Sequence, residues 1–290
     1  MDRVADNPSA WNVRDLHVAH FGFSEITDNR FRFWERVNRE GPGIARSGVG
    51  TLDVQNESWS ARLDDDGVMR IRAYADGVLL ELLLNSEKPP VIHGTDGVSQ
   101  KADGEGQASH YYSMTRMAAS GQISIAGDAT SVTGLAWMDH EFGTSQLGPD
   151  QVGWDWFSLQ FDNGEELMLY QMRRSDGSVD SNSSGTVVEA SGSGRHLESS
   201  DFDITASRTW ASPGTGSVYP LDWTVEVPGE DAVLRVAPLM DDQEMSTFRS
   251  TGFPYWEGAV RIEGTWRGQA VSGRGYVELT GYGEGFRPDV

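Results

Sequence analysis

The sequence predicts an all-β protein, and three observations carry this prediction. Segments of about five to eight residues alternate polar and apolar side chains, as strands with one buried face do. Turns rich in glycine and aspartate separate these segments, and long apolar stretches of helical period are missing. The strands exceed what one small sandwich needs, so we expect closed barrels. A chain of 290 residues has room for two in series.

The first 125 residues contain the predicted strands of one barrel. An aromatic hairpin with a polar loop at 24–29 opens it, and a glycine-rich irregular stretch follows at 38–50. A three-stranded meander comes next, whose turns carry glycine where positive φ is needed. After a loop at 89–106 the pattern resumes. The predicted strands are 17–23, 30–34, 58–63, 68–74, 78–84, 109–117 and 121–126.

The second part of the chain repeats this rhythm and predicts a second barrel. Its stretch 181–194 is rich in serine and glycine but contains a strand pattern, so we interpret it as a loop around one strand. The predicted strands are 134–143, 152–161, 166–172, 186–190, 201–205, 221–227, 233–237, 255–262, 265–266 and 275–282. We therefore place the domains at 1–125 and 126–290.

The stretch GLAWMDHEFG at 134–143 is the first place to expect chemistry, because it sets three ionisable side chains side by side among aromatics. Alternation places Trp137, Asp139 and Glu141 on one face of the strand. It places His140 and Phe142 on the other. Whichever face is buried receives an ionisable group, which must then be paired, hydrogen-bonded or functional.

Composition excludes several classes of function. The net charge of −21, from 44 acidic and 23 basic residues, disfavours binding to nucleic acid or anionic membranes. The chain has no cysteine, which excludes disulfides and thiolate chemistry, and no third ligand accompanies the pair His17 and His20, so we expect no metal. No apolar run is long enough for a membrane helix. The start of the sequence lacks the apolar core of a signal peptide, which fits a cytoplasmic protein or an exported one after processing.

Six motifs resemble those of the AttH/CrtC-like lipocalin family, which includes carotenoid 1,2-hydratases and predicted secreted hydrolases. They are YYSMTR (111–116), GLAWMDHEFG (134–143), GWDWFS (153–158), LMLYQMR (167–173), YWEG (255–258) and ELTGY (278–282). The resemblance extends from about His17 to Tyr282, nearly the whole chain. It implies two tandem lipocalin-like (calycin) barrels with a shared interface, a hydrophobic small-molecule substrate and no organic cofactor.

The sequence departs from the family pattern at two places. The tryptophan- and tyrosine-bearing strand that usually precedes the His17 segment is missing here. The carotenoid hydratases of the family use a His-x-Trp pair and a Tyr-x-Asp pair. The first corresponds to His140 and Phe142, while the strand around Tyr170 carries no carboxylate for the second. The resemblance therefore implies the fold more directly than the reaction.

The candidate catalytic residues are His140, Asp139, Ser113 and Asp155. A histidine beside a carboxylate is a general acid or base near neutral pH, and the partner of His140 is either Asp139 or Asp155. Ser113 would complete a nucleophilic arrangement if it met His140 across the barrel. A structural histidine between the barrels and a serine hydrogen-bonded inside the sheet are the alternative interpretations.

The candidate substrate-binding residues surround this group. Trp154 and Trp156 share a strand face and would wall an apolar pocket or stabilise a carbocation; plain core packing is the alternative. Arg116 would bind an oxyanion or form a buried ion pair with Asp139 or Glu141. The full set is Tyr112, Arg116, Glu141, Phe142, Trp154, Trp156 and Tyr170.

Three functional hypotheses follow. The leading one is a cofactor-independent enzyme that hydrolyses a lipid- or ester-like molecule, with His140 as general base and Ser113 or a water as nucleophile. The second is a hydratase, lyase or cyclase that acts on an isoprenoid-type substrate by acid catalysis. The third is a lipid-binding protein without turnover. The oligomeric state does not follow from the sequence.

Overall fold

The computed structural model describes residues 15–40, 43–143 and 147–284. Regular structure there is almost entirely antiparallel β-strand, with two short 3-10 turns at Ser199–Asp201 and Pro228–Glu230. Among these residues no helix is long and apolar enough to cross a membrane. The strands form one hairpin and two large curled sheets, which make two lipocalin-like barrels in tandem. The predicted fold class is confirmed.

An aromatic hairpin precedes the first sheet and contacts both barrels. Its strands are β1 (Leu16–Glu25) and β2 (Arg30–Arg39). Phe21 packs on Trp34 and on Trp59 of the first sheet, since alternation puts these rings on one face. His20 reaches the second barrel, where its Nδ1 lies 2.5 Å from the hydroxyl of Tyr255. The hairpin therefore fastens the two barrels together at one end.

Nine strands form the first sheet. They are β3 (Ala45–Ser47), β4 (Asp53–Asn56), β5 (Trp59–Leu63), β6 (Met69–Ala75), β7 (Val78–Ser86), β8 (Val91–Ile92), β9 (Ser99–Gln100), β10 (Ala108–Ile125) and β11 (Asp128–Gly143). The main order is β11-β10-β7-β6-β5-β4-β3, and β8 and β9 pair with β10. The stretch 38–50, predicted to be irregular, contributes β3 because its backbone pairs with β4, which needs no alternating pattern.

β10 is one long strand where the sequence predicts two. Its register against β11 shifts between Met114 and Met117, which marks a β-bulge. A bulge bends a strand and moves the following side chains to the other face. Beyond the shift, Ala118 and Ala119 pair with both β7 and β11, so the strand continues although these small residues give it a weak sequence signal.

Ten strands form the second sheet. They are β12 (Gln151–Phe161), β13 (Glu166–Arg174), β14 (Ser184–Val188), β15 (Gly194–Glu198), β16 (Asp203–Ala211), β17 (Val218–Val227), β18 (Ala232–Pro238), β19 (Glu244–Ser246), β20 (Pro254–Trp266) and β21 (Gln269–Leu279). The order is β15-β14-β13-β12-β21-β20-β18-β17-β16, with β19 on β20. Large fully buried side chains such as Phe157, Tyr219, Trp256 and Trp266 fill its interior. This barrel therefore has a packed core.

The change from one sheet to the other falls later in the chain than the predicted domain boundary. Residues 125 and 126 lie at the turn between β10 and β11, and both strands belong to the first sheet. The second sheet begins with β12. The central motif at 134–143 therefore lies on the edge strand of the first sheet and faces the second barrel. The division at 125 stays a prediction about domains.

A buried ion cluster joins the two barrels. Glu166, at the start of β13, has no exposed surface, and its Oε2 lies 2.6 Å from Nζ of Lys88. Nε of Arg116, from the bulge in β10, lies 2.5 Å from Oε1. A carboxylate so deeply buried is tolerated only when cations and hydrogen bonds compensate for its lost hydration. Both cations come from the first barrel, so the cluster fixes how the two barrels sit together.

We expect Glu166→Gln to lower the free energy of unfolding by about 3–5 kcal/mol, because it leaves two buried cations without their charge partner. Urea unfolding of both proteins measures this difference. Glu81→Gln is the matched control, since it removes one partner of an ion pair with Arg72 that is about half exposed. That change is expected to cost under about 1 kcal/mol. Equal losses in the two variants would contradict the role of the cluster.

Candidate active site

A deep cleft runs along the seam between the two barrels. Strands β10 and β11 form one wall, and β12, β20 and β21 form the other. The main space has a volume of about 860 Å³ and joins a smaller pocket of about 160 Å³. Both spaces are lined by Asp139, Trp156 and Glu278. The cleft is of the size that holds a small organic molecule.

Asp139 is the carboxylate on the first wall, and its Oδ1 accepts three hydrogen bonds. Tyr111 donates from 2.9 Å, the indole of Trp137 from 2.8 Å, and Ser113 also donates to it. The enclosing protein raises the pKa of Asp139, and Glu141 adds to the rise, while the three donors oppose it. The side chain itself opens onto the cleft. Asp139 is thus a carboxylate that three hydrogen bonds hold in place facing the cleft.

Two glutamates oppose each other on the second wall. Glu257 of β20 and Glu278 of β21 are direct cross-strand partners, and like charges in that position repel. Desolvation in the cleft raises the pKa of Glu257 to about 7. The pKa of Glu278 is raised well above its usual range, mainly by desolvation and then by the negative charge of Glu257. At neutral pH the pair therefore keeps a proton and can act as a carboxylic acid.

Indole rings line the cleft between these carboxyl groups. The rings of Trp137 and Trp156 meet edge to face with centroids 6.2 Å apart. The Trp156 indole donates to the Tyr111 hydroxyl at 3.0 Å, and the Trp154 indole to Glu278 at 3.2 Å. The predicted common face of Trp154 and Trp156 is the cleft wall. Their polar edges are hydrogen-bonded, so the aromatic surfaces remain for a ligand.

The smaller pocket holds a lysine and a further glutamate. Nζ of Lys101 lies 2.8 Å from Glu141 and 4.0 Å from the centre of the Tyr170 ring. Ser109 donates to the same glutamate at 2.5 Å. The Tyr170 hydroxyl bonds Ser99 at 3.0 Å. Glu141 and Tyr170, predicted substrate-binding residues, therefore line the site, and the adjacent lysine neutralises one of its carboxylates.

The structure places His140 away from this cleft. It projects from the opposite face of β11, where its ring packs between Tyr112 at 5.1 Å and Phe142 at 5.3 Å. These three residues are partly or largely exposed. The alternation that directs Asp139 into the cleft necessarily directs His140 out of it. The predicted arrangement of His140 with Ser113 is therefore not formed.

Ser113 pairs with a different histidine. It has no exposed surface, and its Oγ lies 2.7 Å from Nε2 of His93 and donates to Asp139. In a serine hydrolase the histidine lies between serine and carboxylate, whereas here the serine lies between the other two. A fully buried hydroxyl in this position supports Asp139 and has no access to a substrate.

Asp155 and Arg116 are also separated from the cleft. Asp155 points into the second barrel, where Nε of Arg173 lies at 3.1 Å and the Tyr282 hydroxyl at 3.0 Å. Desolvation raises the pKa of Asp155. Arg116 has a buried ion-pair partner as predicted, but this partner is Glu166 and not Asp139 or Glu141.

Several cleft residues escaped the sequence analysis as site residues. Glu257, Glu278, Trp137 and Tyr276 were given no role in the site, and neither was the buried His93 behind it. Glu257 and Glu278 each lie in a motif of the resemblance, and cross-strand register alone brings them together. His93 lies in a segment that the sequence predicts as loop. Only the alternating tryptophans carried a local signal.

The geometry can be set beside known proteins. The model of the AttH-like family matches residues 1–282. A crystal structure of a Nitrosomonas europaea protein described as AttH superposes with a TM-score of 0.87 at 36% sequence identity, over 96% of this chain and 84% of that one. This similarity extends through both barrels and the cleft.

Two characterised enzymes are more distant relatives. The dehydratase asqC of Emericella nidulans is 23% identical over 82% of this chain, and kievitone hydratase of Fusarium solani subsp. phaseoli is 22% identical over 79%. The matches cover 67% and 65% of those proteins, so the chain spans about two thirds of their length. Kievitone hydratase from Nectria haematococca shares the fold at 18% identity, with a TM-score of 0.74 over 90% of this chain and 79% of that one.

We expect Glu257→Gln to be more stable than the wild type at pH 8 but not at pH 5. The folded pKa of Glu257 is raised to about 7, so its contribution to stability is complete below about pH 4.5 and is lost as the pH rises through 7. Removing this desolvated charge should raise Tm at pH 8 by about 2–4 °C, with little change at pH 5. Thermal unfolding at the two pH values measures this. Glu263→Gln, an exposed position on the same strand, should show no such pH difference.

Proposed function

The chain belongs to the AttH-like family, and from that premise we propose that it is a hydro-lyase, which adds water to or removes water from an apolar alkene-bearing molecule. The opposed glutamates Glu257 and Glu278 carry this proposal. A protonated carboxyl pair facing a carboxylate across an indole-lined cleft is the arrangement that acid-catalysed hydration requires. The hydratase and dehydratase relatives support it.

The proton donor is the Glu257 and Glu278 pair. Hydration begins when a carboxylic acid transfers its proton to one alkene carbon, and a cationic centre develops on the other carbon. Glu278 lies in both parts of the cleft, next to Trp154 and Trp156, so we assign it the transfer. Glu257 holds the proton on the pair, because two adjacent carboxylates in this space cannot both ionise.

Asp139 is the proton acceptor. It faces the cleft from the opposite wall, and the hydrogen bonds to Oδ1 favour its charged form. A water beside it attacks the cationic carbon, forms the new C–O bond and gives one proton to the carboxylate. Asp139 then releases that proton to solvent and the glutamate pair takes one up, so atoms and charge balance over the cycle. Dehydration uses the same groups in reverse.

The indoles of Trp137, Trp154 and Trp156 stabilise the cationic intermediate. Their π faces carry negative charge density, and a cation near a desolvated ring gains about 2 kcal/mol. They also make the cleft selective for an apolar substrate, while Lys101 and Glu141 give it one polar end. We therefore expect a substrate with a branched alkene, or the matching tertiary alcohol, attached to a polar group.

Ester hydrolysis and ligand carriage are the alternatives from the sequence. The hydrolase hypothesis needs His140 as general base, with Ser113 or a water as nucleophile. The serine is fully buried, and His140 lies on the face of β11 that does not line the cleft, so it activates neither nucleophile there. A carrier needs only an apolar cavity. Two buried carboxyl groups in repulsion cost stability, and a carrier gains nothing from them. The geometry therefore favours the hydro-lyase.

We expect Glu278→Gln to lower the hydration rate by about 10²–10⁴-fold, because Gln keeps the shape of the side chain but cannot donate a proton to carbon. The first substrates to test are kievitone, named for the relative, and simple aryl compounds with a branched alkenyl chain. Incubation in ¹⁸O-labelled water followed by mass spectrometry measures the new C–O bond. The rate should fall at alkaline pH, where Glu278, whose pKa desolvation raises well above its usual range, loses its proton.

Glu263→Gln is the matched control, since it removes an exposed carboxylate of β20 and should keep the wild-type rate. Hydrolysis of p-nitrophenyl butyrate is measured in parallel. Turnover of the ester, with no ¹⁸O incorporated into the alkene substrates, would favour the hydrolase. Binding of the alkenes without turnover of either kind would favour a carrier.

A further inference from the structure

A chain of three buried side chains runs from the second barrel to Asp139 in the cleft. Oγ1 of Thr186, on β14, lies 2.8 Å from Nδ1 of His93, and Nε2 of that histidine lies 2.7 Å from Oγ of Ser113. Ser113 donates to Asp139. Thr186, His93 and Ser113 have at most 2% of their surface exposed. Three groups with no access to substrate therefore end on the carboxylate of the cleft.

Hydrogen-bond donors and acceptors fix the direction of every proton in the chain. Asp139 also accepts hydrogen bonds from Tyr111 and Trp137, so it is the acceptor in its contact with Ser113. The hydroxyl of Ser113 therefore uses its one hydrogen in the bond to Asp139. The Ser113 oxygen must then accept from Nε2 of His93, which leaves Nδ1 without a hydrogen. That nitrogen accepts from the hydroxyl of Thr186. A single tautomer of neutral histidine satisfies all these contacts.

The surroundings of His93 keep it neutral. Burial first, together with the positive charges of Lys101 and His196, lowers the pKa of His93 to about 3. The ring of Tyr111 packs at 4.3 Å and holds the imidazole plane. A histidine that cannot take up a proton works only as a fixed donor and acceptor.

We propose that His93 is a positioning residue for Asp139, which it holds ionised and aimed at the cleft through Ser113. This inference rests on the proposed function, in which Asp139 accepts the proton of water. A hydrogen bond to the charged form of a carboxyl favours that form, so each donor in the chain lowers the pKa of Asp139. Thr186 selects the tautomer, and the second barrel thereby sets the basicity of a group on the first.

Other charged groups act on Asp139 and remain unchanged in the test. Glu141 on its own strand and Glu278 on β21 repel its charge, while Lys101 lies in the same pocket beside Glu141. Tyr111 on β10 donates to it. A control must therefore alter a neighbouring carboxylate contact without touching the chain. Ser109→Ala does this, because Ser109 lies on the same face of β10 but donates to Glu141.

Two NMR measurements on the full chain test the proposal without a substrate. Nitrogen-15 shifts of labelled histidine report the tautomer, and we expect His93 to carry its hydrogen on Nε2 at pH 7. Carbon-13 shifts of labelled aspartate report the pKa of Asp139. We expect His93→Phe and Ser113→Ala to raise it by about one unit. His93→Gln, whose amide supplies an N–H donor, should restore it towards the wild-type value.

The control Ser109→Ala should leave the pKa of Asp139 within about 0.3 units of wild type. If His93→Phe does not fold, Thr186→Val gives the same information. It removes the donor to Nδ1 and should populate the other tautomer. A protonated His93 at pH 7, the Nδ1–H tautomer in wild type, or an unchanged Asp139 pKa in the Phe and Ala variants would overturn the proposal.

Activity separates this inference from the proposed function. If the Asp139 pKa responds as expected and no alkene is hydrated, the positioning role stands and the proposed reaction fails. If hydration occurs but the pKa does not respond, the reverse holds. Where both hold, the acid limb of the hydration rate should move upward by the same amount in His93→Phe as the pKa measured by NMR.

Discussion

The position of one barrel against the other depends on the charge of Glu166. Its carboxylate is fully buried, so it is tolerated only with Lys88 and Arg116 beside it. Arg116 belongs to the bulge of β10, and the bulge turns the following residues to the other face of the strand. The residues before it, Tyr111 and Ser113, therefore face the second barrel. The seam, the cleft and its hydrogen bonds all follow from that anchor.

The cleft lies outside both barrels because the interior of the second is filled. Trp256 and Trp266 are fully buried there and pack in its core. The outer faces of two sheets instead enclose a space that neither forms alone. The opposite wall shields the carboxyl groups on these faces from water, and this desolvation raises the pKa of Glu278. Chemistry that needs a protonated acid at neutral pH is thereby supplied by the contact between domains.

Much of the site could be predicted by alternation, and its partners could not. The period of two correctly assigned Asp139 and Glu141 to one face and Trp154 and Trp156 to another. The same rule separates His140 from the cleft, although the sequence analysis chose it for its chemistry. Nothing local marks the pairing of a loop histidine with Ser113, since their contact depends on how the loop at 89–106 folds over β10.

The sequence by itself determined the all-β class, the two barrels and the face on which each strand residue lies. These depend on side-chain period and turn chemistry, which are local and readable. The tertiary structure alone decided which ionisable groups meet. Glu257 and Glu278 oppose each other through the register of β20 and β21, and their proton is retained because the first barrel covers them. Register and desolvation arise between distant segments, so no window of sequence contains them.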